Sequence, residues 1–72
     1  MTQVNARPAM MPNPVSLVGT WRRFGDVGPV YEIIGLGKDL PGHGRMMRIR
    51  VIESGEEVDY RLTDLLEDPQ AI

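Results

Sequence analysis

The chain has 72 residues, a net charge of −2, one histidine and no cysteine. Its length allows one small domain, and the near-neutral charge favours no class of partner. A disulfide framework and a thiolate metal site are excluded, and His43 alone cannot build a zinc site, so we predict neither a metal nor a cofactor. A domain this small buries only about 60% of its unfolded surface, so we expect a homo-oligomer or a protein partner to add stability.

Residues 1–14, MTQVNARPAMMPNP, contain three prolines and no alternating or helical apolar pattern. Proline removes backbone donors and restricts its neighbours, so we predict a disordered tail at 1–14, a single β domain at 15–69 and a frayed end at 70–72. No apolar run reaches the roughly 18 residues that a membrane span needs, and the first residues do not show the pattern of a signal peptide. These features predict a soluble, cytoplasmic protein.

The domain is predicted to begin with VSLVGTWRRF at residues 15–24, a segment rich in apolar side chains. Glycine and proline at residues 25–29 then predict a turn that leads into a strand, VYEIIG at residues 30–35. Alternation in this strand directs some side chains to the core and others outward: Tyr31 and Ile33 inward, and Val30, Glu32 and Ile34 outward.

The glycine-rich stretch GLGKDLPGHG at residues 35–44 contains no nucleotide-binding motif. A phosphate-binding loop requires glycine where this chain has Glu32, and the dinucleotide pattern fails at Leu40. We therefore predict a mobile connection between two strands, with His43 exposed to solvent.

Two alternating segments flank Ser54-Gly55 and predict a β-hairpin. A two-residue turn, or a loop at residues 53–56, gives the ladder Val51–Val58, Arg50–Asp59, Ile49–Tyr60, Arg48–Arg61 and Met47–Leu62. All apolar residues of the inner set then share one face: Met47, Ile49, Val51, Val58, Tyr60 and Leu62. A slip of one residue would turn this set to the opposite face.

This ladder places Arg48 opposite Arg61, and like charges in that position are unfavourable unless another group neutralises them. Two groups could do so: Glu32, which lies on the same predicted face, or an external anion such as phosphate bound by the arginines. We favour Glu32 because it requires no partner. On this basis Glu32→Gln should destabilise the fold more than Arg61→Gln.

The outer face of the predicted sheet also carries apolar residues, and Met46, Ile52 and Ile34 form a candidate interaction surface. Residues 15–24 are expected to cover part of this face with Leu17, Val18, Trp21 and Phe24. We predict an all-β fold: a small antiparallel sheet of roughly four or five strands, curled toward an SH3-like barrel, with one short C-terminal helical turn. The alternative is an α+β fold in which a helix packs on a three-stranded sheet.

The helical turn is predicted within LTDLLEDP at residues 62–69. Asp64 is the predicted N-cap, with Glu67 three residues later, and Pro69 prevents extension. Leu65 and Leu66 are expected to close one end of the core.

No group of residues predicts catalysis. A nucleophile with an oriented base is missing, and the acids near Ser54 flank an exposed turn, so we predict no catalytic residue and no enzyme. The run Trp21-Arg22-Arg23-Phe24 combines aromatic rings with cations, as surfaces that bind single-stranded nucleic acid do. The candidate anion or nucleic-acid patch comprises Trp21, Arg22, Arg23, Arg48 and Arg61.

Two stretches, GTWRRFGDVGPVYEIIG at residues 19–35 and RIRVIESGEEVDYRLTDLLEDP at residues 48–69, resemble a family of small, uncharacterised bacterial proteins classified as a domain of unknown function. The resemblance implies a bacterial cytoplasm and supplies no activity or site residues. The pattern G-x-x-Y-E-I followed by a charged hairpin and a leucine-rich turn is also similar to SH3-like barrels of gene-regulatory and accessory proteins, in architecture only.

The sequence therefore predicts a small, non-enzymatic binding module of unknown specific function. Protein–protein interaction or self-association in a regulatory or accessory role is the favoured hypothesis. The alternative is a nucleic-acid-binding accessory protein that uses the arginine and tryptophan patch.

Overall fold

The computed structural model describes residues 13–71 as one five-stranded antiparallel sheet with two short helices. In chain order the elements are a 3₁₀ helix (Pro14–Leu17), β1 (Trp21–Arg23), β2 (Val30–Leu40), β3 (Gly44–Val51), β4 (Glu57–Arg61), α1 (Leu62–Glu67) and β5 (Gln70–Ala71). The strand order across the sheet is β4-β3-β2-β1-β5. Within these residues no ladder joins β4 to β5, so the sheet is open and is not closed into a barrel. The predicted all-β class with one small α-helix is confirmed.

The described chain begins with a capped 3₁₀ helix. The Oδ1 of Asn13 accepts a hydrogen bond from the N–H of Val15 at 3.1 Å, and Pro14 supplies a preset φ at the start of the helix. Asn13 and Pro14 therefore belong to the folded part of the chain, whereas residues 1–12 of the predicted tail lie outside the described residues. Neither helix of residues 13–71 has the length and apolar content needed to span a bilayer.

One face of the sheet, called the inner face, carries the core. The fully buried side chains are Tyr31, Ile33, Met47, Ile49 and Leu65. Leu17 from the 3₁₀ helix and Leu62 from α1 join the same cluster, so both helices cover this face. Full burial of such side chains stabilises the fold by about 1.5–3 kcal/mol each. The predicted inward direction of Tyr31 and Ile33 is confirmed.

The ladder between β3 and β4 differs from the predicted register. Arg48 pairs with Asp59 instead of Arg61, and Ile49 pairs with Val58, so the ladder is displaced by two residues. Such a displacement keeps every side chain on its predicted face, because side chains alternate with a period of two. The inner set is therefore correct, but the like-charge pair of Arg48 and Arg61 does not form.

The position of the loop explains the displacement. The N–H of Gly55 donates to the carbonyl of Val51 at 2.7 Å, and the N–H of Val51 donates to the carbonyl of Glu56 at 2.8 Å. The loop thus spans residues 52–55, one position earlier than the predicted 53–56. Gly55 closes it with a φ of 76°, a left-handed conformation that glycine adopts without steric cost.

The glycine-rich stretch at residues 35–44 is not the predicted mobile connection. Strand β2 runs on to Leu40 and pairs with the beginning of β3, and only a tight turn at residues 41–43 separates them. Shifts in the ladder after Ile33 and after Leu36 let β2 bend while it remains paired. At Gly37 a Cβ would lie 3.0 Å from the backbone of Met46, so a side chain at this position would crowd the neighbouring strand. His43 lies in the turn and is exposed, as predicted.

The segment at residues 15–24 does not cover the outer face as predicted. Leu17 is buried on the inner face, and Phe24 packs against the same core. Trp21 belongs to β1, which pairs with β2 and so extends the sheet sideways. The prediction failed because it placed the whole segment above the sheet, whereas β1 is one of its strands.

The C-terminal part of the domain begins its helix earlier and stays ordered longer than predicted. Helix α1 has Arg61 at its N-cap without a side-chain capping bond, so Asp64 lies inside the first turn and is not the cap. Leu65 is fully buried and Leu66 packs against the core, as predicted. Gln70 and Ala71 form β5 instead of the predicted frayed end, because β1 offers them an edge with which to pair.

Candidate binding surface

The face opposite the core, called the outer face, is covered by neither helix of the described chain. The ladders show which residues are neighbours there, since paired residues lie on the same face. In one row Glu32 lies between Trp21 and Arg50, and Arg50 is followed by Glu57. The apolar residues of the outer face are Trp21, Val30, Ile34, Met46 and Ile52.

These apolar side chains remain partly accessible to water. Trp21 is 38% exposed and Ile52 is 41% exposed, whereas Ile34 and Met46 are half-buried. The structure thus places Met46, Ile52 and Ile34 of the predicted interaction surface on one face, and adds Trp21 to them. Ile52 adjoins β2, because its N–H donates to the carbonyl of Val30 at 3.0 Å.

On the outer face Arg48 of β3 forms salt bridges with two acids of β4. Nη1 of Arg48 lies 3.2 Å from Oδ1 of Asp59, and its Nε lies 3.9 Å from Oε1 of Glu57. Glu32 lies opposite Arg50 and forms no salt bridge with Arg48 among the described residues. The prediction that Glu32 neutralises Arg48 is therefore wrong, because the displaced register supplies acids from β4 instead.

The predicted arginine and tryptophan patch is brought together only in part. Arg22 is 8% exposed and lies on the inner face, because it pairs with Tyr31. Its Nη1 donates to the carbonyl of Asp68 at 2.7 Å, and its Nε has no hydrogen-bond partner within residues 13–71. Trp21, Arg23, Arg48 and Arg61 share the outer face, but Arg48 is already paired with acids.

Asp68 is the centre of a polar cluster that the sequence reasoning missed. Its Oδ2 accepts hydrogen bonds from the hydroxyls of Tyr31 at 2.7 Å and Tyr60 at 2.9 Å. Its Oδ1 accepts one from the N–H of Gly25 at 3.1 Å. The sequence does contain a signal for this cluster. Tyr31 and Tyr60 are both predicted to point inward, and a buried tyrosine hydroxyl needs a hydrogen-bond partner.

Burial raises the pKa of Tyr31 well above its usual range, and the hydrogen bond to the Asp68 carboxylate adds to the effect. The same two causes raise the pKa of Tyr60 to about 12. Both hydroxyls therefore keep their protons at any physiological pH and remain donors to Asp68. The rings of Phe24, Tyr31 and Tyr60 pack together, with centroids 4.4 to 5.6 Å apart.

The cluster around Asp68 ties the segment after α1 to the sheet. It offers no base and no nucleophile, because the carboxylate is occupied by three donors and the phenols are held protonated. Within residues 13–71 no group of three or more histidines, cysteines or acids is arranged to hold a metal ion. The surfaces of the described residues that a ligand could reach are the outer face and a groove beside β1. The groove is lined in part by Thr20, Trp21 and Ala71.

The described residues thus define a small β protein with an open antiparallel sheet, one covered face and one mixed apolar and charged face. The chain belongs to a family of unknown function, DUF5397, whose match spans residues 6–72. It is also similar to an uncharacterized protein of Haemophilus influenzae, with 38% identity over 53 residues that cover 74% of this chain and 84% of the relative. The resemblance to a bacterial family of unknown function is confirmed at this level.

Proposed function

We propose that this protein is a non-enzymatic binding module that recognises another protein through the outer face of its sheet. The observation that carries the proposal is an uncovered face on which Trp21 and Ile52 remain 38% and 41% exposed. Aromatic and aliphatic side chains at such positions are typical anchors of protein interfaces. A regulatory or accessory role in a bacterial cytoplasm fits a domain whose described residues, 13–71, carry such a surface and no group arranged for catalysis.

The pairing of charges on the same face supports a protein partner. Arg48 is bridged to Asp59, and Arg50 lies between Glu32 and Glu57, so the face presents opposite charges side by side. Such a pattern complements a partner with its own alternating charges and gives little net attraction to a uniformly charged polymer. The apolar residues next to these pairs supply the area that a stable contact has to remove from water.

An SH3-like architecture is part of the proposal. Strand β5 lies beside β1, and α1 directly precedes β5. An order in which the first and last strands are neighbours, together with the bends in β2, supports a sheet that curls in the manner of a small barrel.

Nucleic-acid binding is the second candidate and has less support. Trp21 offers a stacking surface, and Arg23 and Arg61 share its face. Arg22 is buried on the opposite face and Arg48 is bridged to acids, so few cations remain for phosphates. Salt-dependent binding of a single-stranded oligonucleotide, followed by the fluorescence of Trp21, would favour this candidate over the first.

Site-specific photocrosslinking in cells tests the proposed function. A photoreactive residue is placed at Ile52 or at Met46 on the outer face, and at Val27 as a control, because Val27 is 95% exposed in the turn before β2. We expect a discrete crosslinked protein from Ile52 and Met46 and none from Val27. Crosslinks of equal yield at Val27, or no crosslink at either outer-face position, would contradict the proposal.

A further inference from the structure

The free edge of the sheet at β4 forms a second surface, distinct from the outer face. Strand β4 ends the strand order, and among residues 13–71 its other side pairs with no strand. The bond from the N–H of Val51 to the carbonyl of Glu56 sets the alternation along the ladder with β3. By that alternation Glu57, Asp59 and Arg61 direct their N–H and C=O groups away from the sheet. Such groups are ready to pair with a strand of another chain.

We infer that the partner at this edge is β4 of a second copy, paired antiparallel about a two-fold axis at Asp59. In that register Glu57 lies opposite the partner's Arg61, and the symmetry repeats the pair, so two ion pairs of opposite charge form. On the other face Val58 lies opposite the partner's Tyr60, also twice. The strand is therefore self-complementary in charge and in apolar character, as an isologous interface requires.

The central position of this interface is compensated from within each copy. Asp59 lies opposite the partner's Asp59, and two carboxylates alone would repel each other. Nη1 of Arg48 lies 3.2 Å from Oδ1 of Asp59, so each copy brings its own cation to the axis. Moving the register so that the axis lies at Val58 would instead oppose Glu57 to the partner's Asp59 twice, without any ion pair. The axis at Asp59 also pairs all five residues of β4, whereas an axis at Tyr60 would pair only residues 59–61 of the strand. Charge and strand length together favour the axis at Asp59.

The pairing of two copies rests on the proposed function, because it is one case of protein–protein interaction. It uses the free edge of β4, however, and not the outer face. The two can fail separately. Crosslinking at Ile52 tests the outer face, whereas the experiments below test only β4.

Charge exchange between two variants tests the pairing. In Arg61→Glu both ends of β4 become acidic, and in Glu57→Arg both ends become basic. We expect sedimentation equilibrium to show dimers for the wild type and at least tenfold weaker self-association for each variant alone. An equimolar mixture of the two variants should restore the dimer, because both pairs between residues 57 and 61 are then of opposite charge. Glu53→Arg in the loop makes the same charge change as Glu57→Arg outside β4 and should leave the dimer intact.

The outcomes that contradict the inference are equally defined. A wild type that stays monomeric at all concentrations, or a mixture that associates no better than its components, would overturn it. Hydrogen exchange on the wild type tests the pairing of β4 between two copies even if a variant fails to fold. The amides of Glu57, Asp59 and Arg61 should become protected as the protein concentration rises, and exchange independent of concentration would rule out pairing at this edge.

Discussion

Asp68 at the inner face and Asp59 on the outer face each accept hydrogen bonds from side chains of neighbouring strands, but in different surroundings. Asp68 accepts from two tyrosine hydroxyls and one backbone N–H, at 2.7 to 3.1 Å, beside the aromatic cluster. Asp59 accepts from Arg48 at 3.2 Å, at the edge of the sheet and in contact with water. The inner carboxylate thus joins three parts of the chain, whereas the outer one pairs with an arginine at the surface.

The largest contrast between the faces is expected for two adjacent isoleucines. Ile33→Ala removes a side chain with no exposure and should lower the free energy of unfolding by about 2–5 kcal/mol. Ile34→Ala, on the half-buried outer face, should cost less than about 1.5 kcal/mol. Urea denaturation of both variants measures the difference. Equal losses would show that the outer face is packed as tightly as the core.

The two carboxylates provide the next comparison. Asp68→Asn leaves a weaker acceptor for two phenols and should cost about 1.5–3 kcal/mol. Asp59→Asn removes an exposed ion pair and should cost about 0.2–1 kcal/mol. Both substitutions preserve side-chain size, so each serves as the control of the other. Denaturation midpoints in dilute protein that rank them in the opposite order would disprove the division of roles.

The aromatic cluster predicts a loss of stability in alkali. The pKa of Tyr60 is raised from 10.0 to about 12, so above pH 10.0 the unfolded chain loses this proton while the folded chain keeps it. The free energy of unfolding must then fall as pH rises through this window, and it is unaffected below it. Tyr60→Phe should lose about 0.5–1.5 kcal/mol at neutral pH and show a shallower alkaline decline. An unchanged slope would mean that Tyr60 does not contribute.

The smallest effect is expected at Glu32. Because Arg48 is bridged to Asp59 and Glu57, Glu32→Gln removes no ion pair of Arg48 and should change the free energy of unfolding by less than about 0.5 kcal/mol. Thermal denaturation beside the wild type measures this. If Glu32→Gln lowered the free energy of unfolding as much as Asp68→Asn, Glu32 would be a stabilising charge of the outer face after all.

In β3 and β4 the face of each residue could be predicted from the sequence, but its partner on the neighbouring strand could not. Alternation in residues 47–51 places Met47 and Ile49 inward whatever the register, so an error of two positions left the core intact. The register itself depends on Gly55, whose left-handed φ closes the loop one residue earlier than the Ser54-Gly55 pattern suggests. Polar alternation alone does not distinguish these two loops.

Contacts between distant parts of the chain were the hardest to predict. Asp68 meets Tyr31 across 37 residues and Gly25 across 43, and no local pattern connects them. The extension of β2 was missed for a different reason. Glycine-rich stretches usually form loops, but in a strand glycine also permits close approach of another backbone, and Gly37 lies where the backbone of Met46 in β3 comes close to β2.

The attachment of residues 68–71 has a consequence for folding kinetics. Strands β1 to β4 form a meander in which each strand pairs with its neighbour in sequence, whereas the contact between Arg22 and Asp68 closes a loop of 46 residues. Loop-closure entropy therefore favours formation of the meander before β5 arrives. Detachment of β5 from β1 should likewise be the first local unfolding event of the native protein. Each such event exposes the backbone N–H and C=O groups of β1, which can then pair transiently with a strand of another chain.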